Sequence, residues 1–227
     1  MVGVTVTELP SNPIGRSASM ASLAEVLEEA DFRMRTGVRV GAAVWPTGFD
    51  PLDSHFGGGL RGGELLLLGG QQGLGKTTMA LQIVRQVVVN GRSAVIFSYE
   101  LEARSLIERF LVMEAAYAAG RGMVTIKDVR AAMEDRSRTT ASIDERFAHL
   151  PGGPQALAAM RYYGDRLHIH ESSNQQTDLK TIVQTVADLK ERGQDPLVLV
   201  DYLQKIPVIG SKHVEEERVT YNVEGLK

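Results

Sequence analysis

The sequence predicts an α/β fold in which a mostly parallel sheet is flanked by helices, preceded by a short N-terminal tail and one separate, linker-like helix. Three observations carry this. Short apolar runs (Leu65–Leu68, Ala94–Tyr99, Leu197–Val200) alternate with segments of helical periodicity, as βαβ units require. The first run leads through a glycine-rich turn straight into a helical pattern. The other two are followed by carboxylates, Glu100 and Asp201, and parallel sheets bind ligands beyond such strand ends.

Residues 1–18 are rich in Ser, Pro, Gly and Thr, lack periodicity and read as a flexible tail. Ser22 and Glu25 form a capping box. Leu23, Val26, Leu27, Ala30 and Met34 then recur at helical spacing up to Gly37. This amphipathic helix packs either on its own domain or on a neighbouring subunit, and its spacing serves both. Residues 1–40 are thus expected to be tail plus linker-like helix, and residues 41–227 the main domain. Thr47–Asp53 and Gly57–Gly63 are strings of turn residues ahead of the Leu65–Leu68 strand. The second string has no strand before it and no helix after it, so its glycines read as tight turns.

The helix after the glycine-rich turn carries Met79, Ile83, Val84 and Val87 on one stripe and stops at Gly91. Ala94–Tyr99 reads as a buried strand. Leu101–Ala119 reads as a long helix with Leu106, Phe110, Leu111 and Met113 inward. Residues 120–165, broken by Gly120, Gly122 and Pro151–Pro154, read as short helices packed on the sheet. Leu167–His170 is a short strand. Asp178 caps a helix with Ile182, Val183, Val186 and Leu189 on one face, closed by Gly193. Leu197–Asp201 is the last buried strand, and Val214–Lys227 begins another helix.

A formal charge of −3, with 43% hydrophobic and 23% charged residues, suits one globular domain with a proper core. It excludes a generally basic nucleic-acid binder, so any nucleic-acid contact is local or lies outside this sequence. With no cysteine there is no disulfide framework and no thiolate metal site. No apolar run approaches the ~20 residues of a membrane span, and residues 1–20 show no secretory signal. The expected location is cytoplasmic, away from membranes.

The chemistry starts at Gly70-Gln71-Gln72-Gly73-Leu74-Gly75-Lys76-Thr77-Thr78, which fits the phosphate-binding pattern G-x-x-x-x-G-K-[ST]. Gly70, Gly73 and Gly75 let the backbone approach phosphate oxygens and tolerate positive φ. Backbone N–H groups of the turn and the positive end of the helix then point at one anionic spot. Lys76 is a point charge for the β- and γ-phosphates. Thr77 offers a hydroxyl to Mg²⁺, which prefers hard oxygen ligands. ATP with Mg²⁺ is the expected ligand.

Asp201 follows four apolar residues, a Walker B pattern that gains weight from the upstream loop; it would hold Mg²⁺ or a water on it. Glu100 is either a base that orients the attacking water or a surface carboxylate at a strand end. Gln204 is either a γ-phosphate sensor or a solvated loop amide. His168 and His170 alternate on one strand face, with no third ligand nearby, and read as ordinary polar packing. Arg61, Arg104, Arg109, Arg130, Arg136 and Arg138 read mostly as solvated-face cations; one acting on a neighbour's nucleotide is the alternative, and spacing does not pick it out.

Taken in order, Thr47-Gly48-Phe49-x-x-Leu52-Asp53, Gly57-Gly58-Gly59-Leu60, the phosphate loop, Phe97-Ser98-Tyr99-Glu100 and Asp201-Tyr202-Leu203-Gln204 resemble the RecA-like ATPase domain of DnaB-type replicative helicases. Residues 216–227 are similar to the helix after the Walker B strand there, and the likeness spans about residues 38–227. It implies a RecA-like P-loop NTPase that hydrolyses ATP. In that family the residue matching Glu100 activates water, that matching Asp201 is the Walker B aspartate, and that matching Gln204 couples the γ-phosphate to DNA-binding loops. It also implies a hexameric ring with ATP at subunit interfaces and single-stranded DNA gripped along its backbone. The family's arginine finger and main DNA loops follow the Walker B strand at a distance this sequence does not reach, so the domain is expected to be incomplete at its C-terminus. RecA-, RadA- or KaiC-like ATPases without unwinding activity are an alternative, since they share the Thr-Gly-x-x-x-Leu-Asp segment; Asp201-Tyr202-Leu203-Gln204 argues against them. A third reading is a truncated domain that binds ATP without turning it over.

Overall fold

The computed structural model describes residues 2–6, 21–36, 43–135, 137, 140–208 and 215–226. In chain order the elements are β1 (Val2–Val6), α1 (Leu23–Arg35), β2 (Val44–Trp45), α2 (Asp50–His55), β3 (Leu60–Arg61), β4 (Leu65–Leu68), α3 (Lys76–Val89), β5 (Ser93–Ser98) and α4 (Ala103–Ala119). There follow α5 (Ile126–Glu134), α6 (Ile143–Phe147), α7 (Gly153–Tyr163), β6 (Leu167–Glu171), α8 (Leu179–Glu191), β7 (Pro196–Asp201) and α9 (Glu215–Gly225).

The main sheet has the order β4-β1-β7-β5-β6. Every residue of β5 and β7 is buried, which is why these strands read as unbroken apolar runs: helices cover both of their faces. On one face Ala94, Ile96, Leu197 and Leu199 meet the inward stripe of α3 (Ala80, Ile83, Val84, Val87), with Phe110 of α4 and Tyr163 of α7. On the other face Val95, Phe97, Val198 and Val200 meet Ile182, Val186 and Leu189 of α8 and Val219, Val223 and Leu226 at α9. A third cluster, including Leu111, Ala115, Val129, Phe147 and Leu157, ties α5, α6 and α7 to α4. The short helices expected within residues 120–165 are these three.

Three local expectations change. The tail contains a strand, Val2–Val6, which pairs antiparallel with both β4 and β7; the remainder of that tail, residues 7–20, lies outside the described residues. The domain's sheet therefore begins well before residue 41. The long helix starts at Ala103 rather than Leu101, because Ser98 Oγ accepts from the Leu101 N–H at 3.1 Å and donates to the Leu101 carbonyl at 2.6 Å. That turn holds Leu101 outside the helix, and Glu171 accepts from the Ala103 N–H at 2.7 Å. Val183, expected inward on α8, is 42% exposed, while Ile182, Val186 and Leu189 carry the packing.

The turn-rich Thr47–Asp53 segment has a physical reason. Asp53 accepts from the Thr47 N–H and hydroxyl at 2.7 Å each and from the Gly48 N–H at 3.0 Å. Gly48 has φ +80, and a Cβ there would meet the Gln86 side chain at 2.7 Å, so glycine is required on two counts. The glycines of 57–63 flank β3, which pairs with β2 through Trp45 opposite Leu60. They form turns, as expected.

The amphipathic helix α1 forms with its Ser22–Glu25 capping box intact. It buries no residue: Leu23 is 75% and Phe32 67% exposed. Its apolar side therefore does not pack on the described part of its own domain. Among the described residues, no helix is long and apolar enough to cross a membrane.

Candidate active site

The P-loop joins the end of β4 to the start of α3. Gly75 takes φ +86 as the N-cap residue of α3, and no side chain caps that end of the helix. A left-handed residue there favours glycine, and the open helix end leaves backbone N–H groups directed at the loop's concavity. Beside it lies a cavity of about 470 Å³ lined by Gln72, Gly73, Gly75, Lys76, Thr77, Thr78, Glu100, Arg109, Asp201 and Tyr202. It opens at the carboxyl ends of β4, β5 and β7, the position expected of a ligand site in a parallel sheet.

Lys76 Nζ donates to the carbonyls of Gly70 and Gln71, both at 2.8 Å. These bonds hold the ammonium over the loop, and its third proton remains for an anion. Thr77 Oγ1 donates to Asp201 Oδ2 at 2.9 Å. Asp201 itself is 2% exposed, and its Oδ1 is buried without a hydrogen-bond partner. Burial pushes the Asp201 carboxyl above its ordinary value; the Thr77 hydrogen bond opposes this, the Glu100 charge adds to it, and the positive charge of Arg109 works against it.

An unpartnered buried carboxylate oxygen beside a hydroxyl is an unfinished oxygen donor set. It fits a hard divalent cation such as Mg²⁺, which takes one or two protein oxygens and completes its shell with water and phosphate. No cluster of three or more His, Asp or Glu side chains suits a metal among the described residues, so a cation relying wholly on protein ligands does not fit. His168 bonds Gln194, and His170 lies against the Phe97 ring at 5.1 Å and bonds Ser172, consistent with ordinary polar packing for both.

The structure brings Gln72, Gly73, Gly75, Lys76, Thr77, Thr78, Glu100 and Asp201 to one cavity. Gly70 and Gln71 act on it through their carbonyls to Lys76. Leu74 is 71% exposed and does not line it. Gln204, in the 3-10 turn Leu203–Lys205, does not line it either. Two lining residues are not predicted from the sequence. Arg109 reads there as a solvated-face cation, yet it stands half-buried on α4 facing the loop. Its signal is its position on the helix that leaves the Glu100 strand, on the flank between Leu106 and Met113. Tyr202 follows Asp201 directly, and Lys205 Nζ sits 4.9 Å over its ring.

The family model for the DnaB-like helicase C terminal domain matches residues 45–227. A probable plasmid replicative DNA helicase of Chlamydia psittaci is 24% identical over 221 residues, covering 96% of this chain and 41% of that protein. A probable replicative DNA helicase of Guillardia theta is 25% identical over 217 residues, covering 92% of this chain and 32% of its own length. The chain thus spans less than half the length of these two relatives. Among solved structures, an isolated ATPase domain superposes with a TM-score of 0.61 at 16% identity, covering 92% of this chain and 67% of that one. A DnaB-like replicative helicase superposes with a TM-score of 0.59, also at 16% identity, covering 93% of this chain and 46% of that one. The fold is that of RecA-like helicase ATPase domains, and the chain belongs to the DnaB-like helicase C-terminal domain family.

Proposed function

We propose that this chain is the ATP-hydrolysing motor domain of a replicative DNA helicase, using Mg-ATP to drive movement along single-stranded DNA. The observation that supports this most is the hydrogen bond from Thr77 to the buried Asp201, formed beside Lys76 and Glu100 in one cavity. Family membership and the helicase names of the relatives point the same way.

In this reading, the loop amides and Lys76 bind and orient the β- and γ-phosphates and neutralise charge as it moves toward the leaving oxygen. Thr77 Oγ1 and Asp201 would hold Mg²⁺, which would supply Lewis-acid stabilisation of the negative charge on the phosphates. Glu100 orients the attacking water and accepts its proton. Arg109 reaches the phosphates from α4. Gln204 stands outside the cavity wall, in the turn just past Asp201, and from there would report the state of the γ-phosphate to DNA-contacting segments. A ring of six copies with nucleotide at the interfaces is the assembly we propose, and the uncovered apolar side of α1 suits contact with a neighbouring copy. A cytoplasmic setting is part of the same proposal.

The test is ATP hydrolysis by the protein with and without single-stranded DNA, alongside strand displacement. We expect DNA to raise the rate severalfold. An identical rate with and without DNA, at saturating Mg-ATP, removes the coupling to DNA.

A further inference from the structure

Lysine side chains normally carry their ammonium out to water along an apolar stem. Lys205 does the reverse. It is half-buried, and its Nζ turns back toward the site, donating to the Tyr99 carbonyl at 3.4 Å and lying 4.9 Å over the Tyr202 ring. No carboxylate among the described residues pairs with it. An ammonium drawn inward without an ion pair is held by what it touches, here one carbonyl dipole and one aromatic face.

The places of those two contacts give them meaning. Tyr99 stands directly before Glu100, and Tyr202 directly after Asp201. Tyr99 is a fixed post. Its N–H donates to the Asp201 carbonyl at 2.8 Å, and its hydroxyl donates to the Thr177 carbonyl at 2.6 Å. Tyr202 lines the nucleotide cavity, and the Lys205 charge is stacked on its ring.

The turn that carries Lys205 is itself anchored. Leu203 and Ile206 are fully buried in the core on the Phe97 and Val200 face. Asn222 Nδ2 on α9 donates to the Ile206 carbonyl at 3.1 Å, and the Lys205 N–H donates to the Tyr202 carbonyl at 3.0 Å. With its backbone held in this way, Lys205 reaches across to the end of β5. It joins the strand end that presents Glu100 to the turn that follows Asp201, and Gln204 lies beside it in that turn.

We propose that Lys205 is a positioning residue for ATP hydrolysis. Its ammonium holds the Tyr202 ring at the cavity wall and fixes the strand ends of Glu100 and Asp201 relative to each other. Lys205 does not line the cavity itself, so it acts on the rate of hydrolysis and not on nucleotide binding. The inference rests on the ATP-hydrolysing role proposed for the site. A lysine that merely packs its stem predicts no dependence on charge.

Lys205→Met keeps the length and the apolar stem and removes the charge. In steady-state hydrolysis we expect its kcat to fall by about 5–20-fold, with KM and the affinity for a fluorescent ATP analogue within about twofold of the parent. Lys205→Arg returns the charge and should bring kcat back to within about threefold of the parent. A kcat in Lys205→Met equal to the parent's, or an equal fall in the Met and Arg variants, overturns the proposal. Tyr202→Leu tests the route. Adding Lys205→Met to Tyr202→Leu should cost less than about twofold more, because the ring through which the charge acts is already gone. Fully additive losses overturn action through Tyr202. Should the parent chain hydrolyse no ATP, the hydrolase reading of the site fails, and hydrogen exchange decides the clamp by itself. The Tyr99 amide, bonded to Asp201, should exchange at least about fivefold faster in Lys205→Met than in the parent. Unchanged protection of that amide overturns the clamp.

Discussion

Thr77 donates its hydroxyl proton to Asp201 at 2.9 Å, joining the first turn of α3 to the end of β7. The bond ties the phosphate loop to the buried carboxylate. It has a pH consequence. The folded-state pKa of Asp201 lies above its ordinary value of 3.8, chiefly through burial. The native state therefore keeps this proton longer than the unfolded chain does, and stability falls as pH rises from about 3.8 toward the raised value. Asp201→Asn removes that component. In melts without divalent cation, the variant should lose less stability than the parent over this window. With Mg²⁺ present the parent should gain stability at neutral pH and the variant should not.

Lys76 and Glu100 separate binding from chemistry. Lys76 bonds only loop carbonyls and belongs to none of the core clusters, so Lys76→Ala should change stability by no more than about 0.5 kcal/mol. Its nucleotide affinity should fall by about 10–100-fold, the worth of a charge-assisted hydrogen bond. Glu100→Gln should bind nucleotide with nearly unchanged affinity and lose roughly 100-fold or more in turnover. Titration with a fluorescent ATP analogue and steady-state hydrolysis check both. Equal losses of affinity in the two variants contradict the assigned roles.

Arg109 faces the cavity from α4. Arg109→Ala should lower ATP turnover by about 10–100-fold, with Arg109→Lys recovering part of it, because the charge returns but the planar fork does not. Thermal melts of both variants should stay close to the parent. A turnover unchanged in Arg109→Ala returns this residue to the solvated face that its sequence position suggests.

Away from the site, Arg85 makes a bidentate pair with Glu114, at 2.7 Å to each oxygen, and Tyr163 donates to Glu114 at 3.0 Å. The Tyr163 hydroxyl is pushed well above its usual pKa by burial and by the Glu114 charge, so it stays a donor. Arg85 also lies 3.7 Å over the Tyr117 ring. Glu114→Ala strands a nearly buried guanidinium and should cost about 3–5 kcal/mol, read from urea denaturation. Replacing Tyr163 by Phe should cost about 1 kcal/mol, the worth of one hydrogen bond.

Some of this molecule is legible in the sequence because the physics is local. The phosphate loop needs its glycines and Lys76 within nine consecutive residues, so the pattern is readable before any fold is known. The capping box at Ser22 acts over three residues, and the apolar centres of β5 (94–97) and β7 (197–200) declare their double-sided burial in composition alone. The carboxylates at their ends then fall where parallel sheets bind ligands.

Other features depend on partners far away in the chain. Val2–Val6 has the β-branched, alternating composition of a strand, but the Ser-, Pro- and Gly-rich residues after it make it read as tail, and its partners β4 and β7 are set only by the fold. Arg109 looks like any helix-surface cation until α4 is laid against the loop. Thr77 and Asp201 can each be named from sequence, but the 2.9 Å bond between them exists only because the crossovers bring β4 and β7 into one sheet with their carboxyl ends together. Residue order alone is enough for the loop, the strand cores and the residue types of the site. Which of those residues meet is a property of the assembled fold, because pairing and burial are set by the whole sheet rather than by any one stretch.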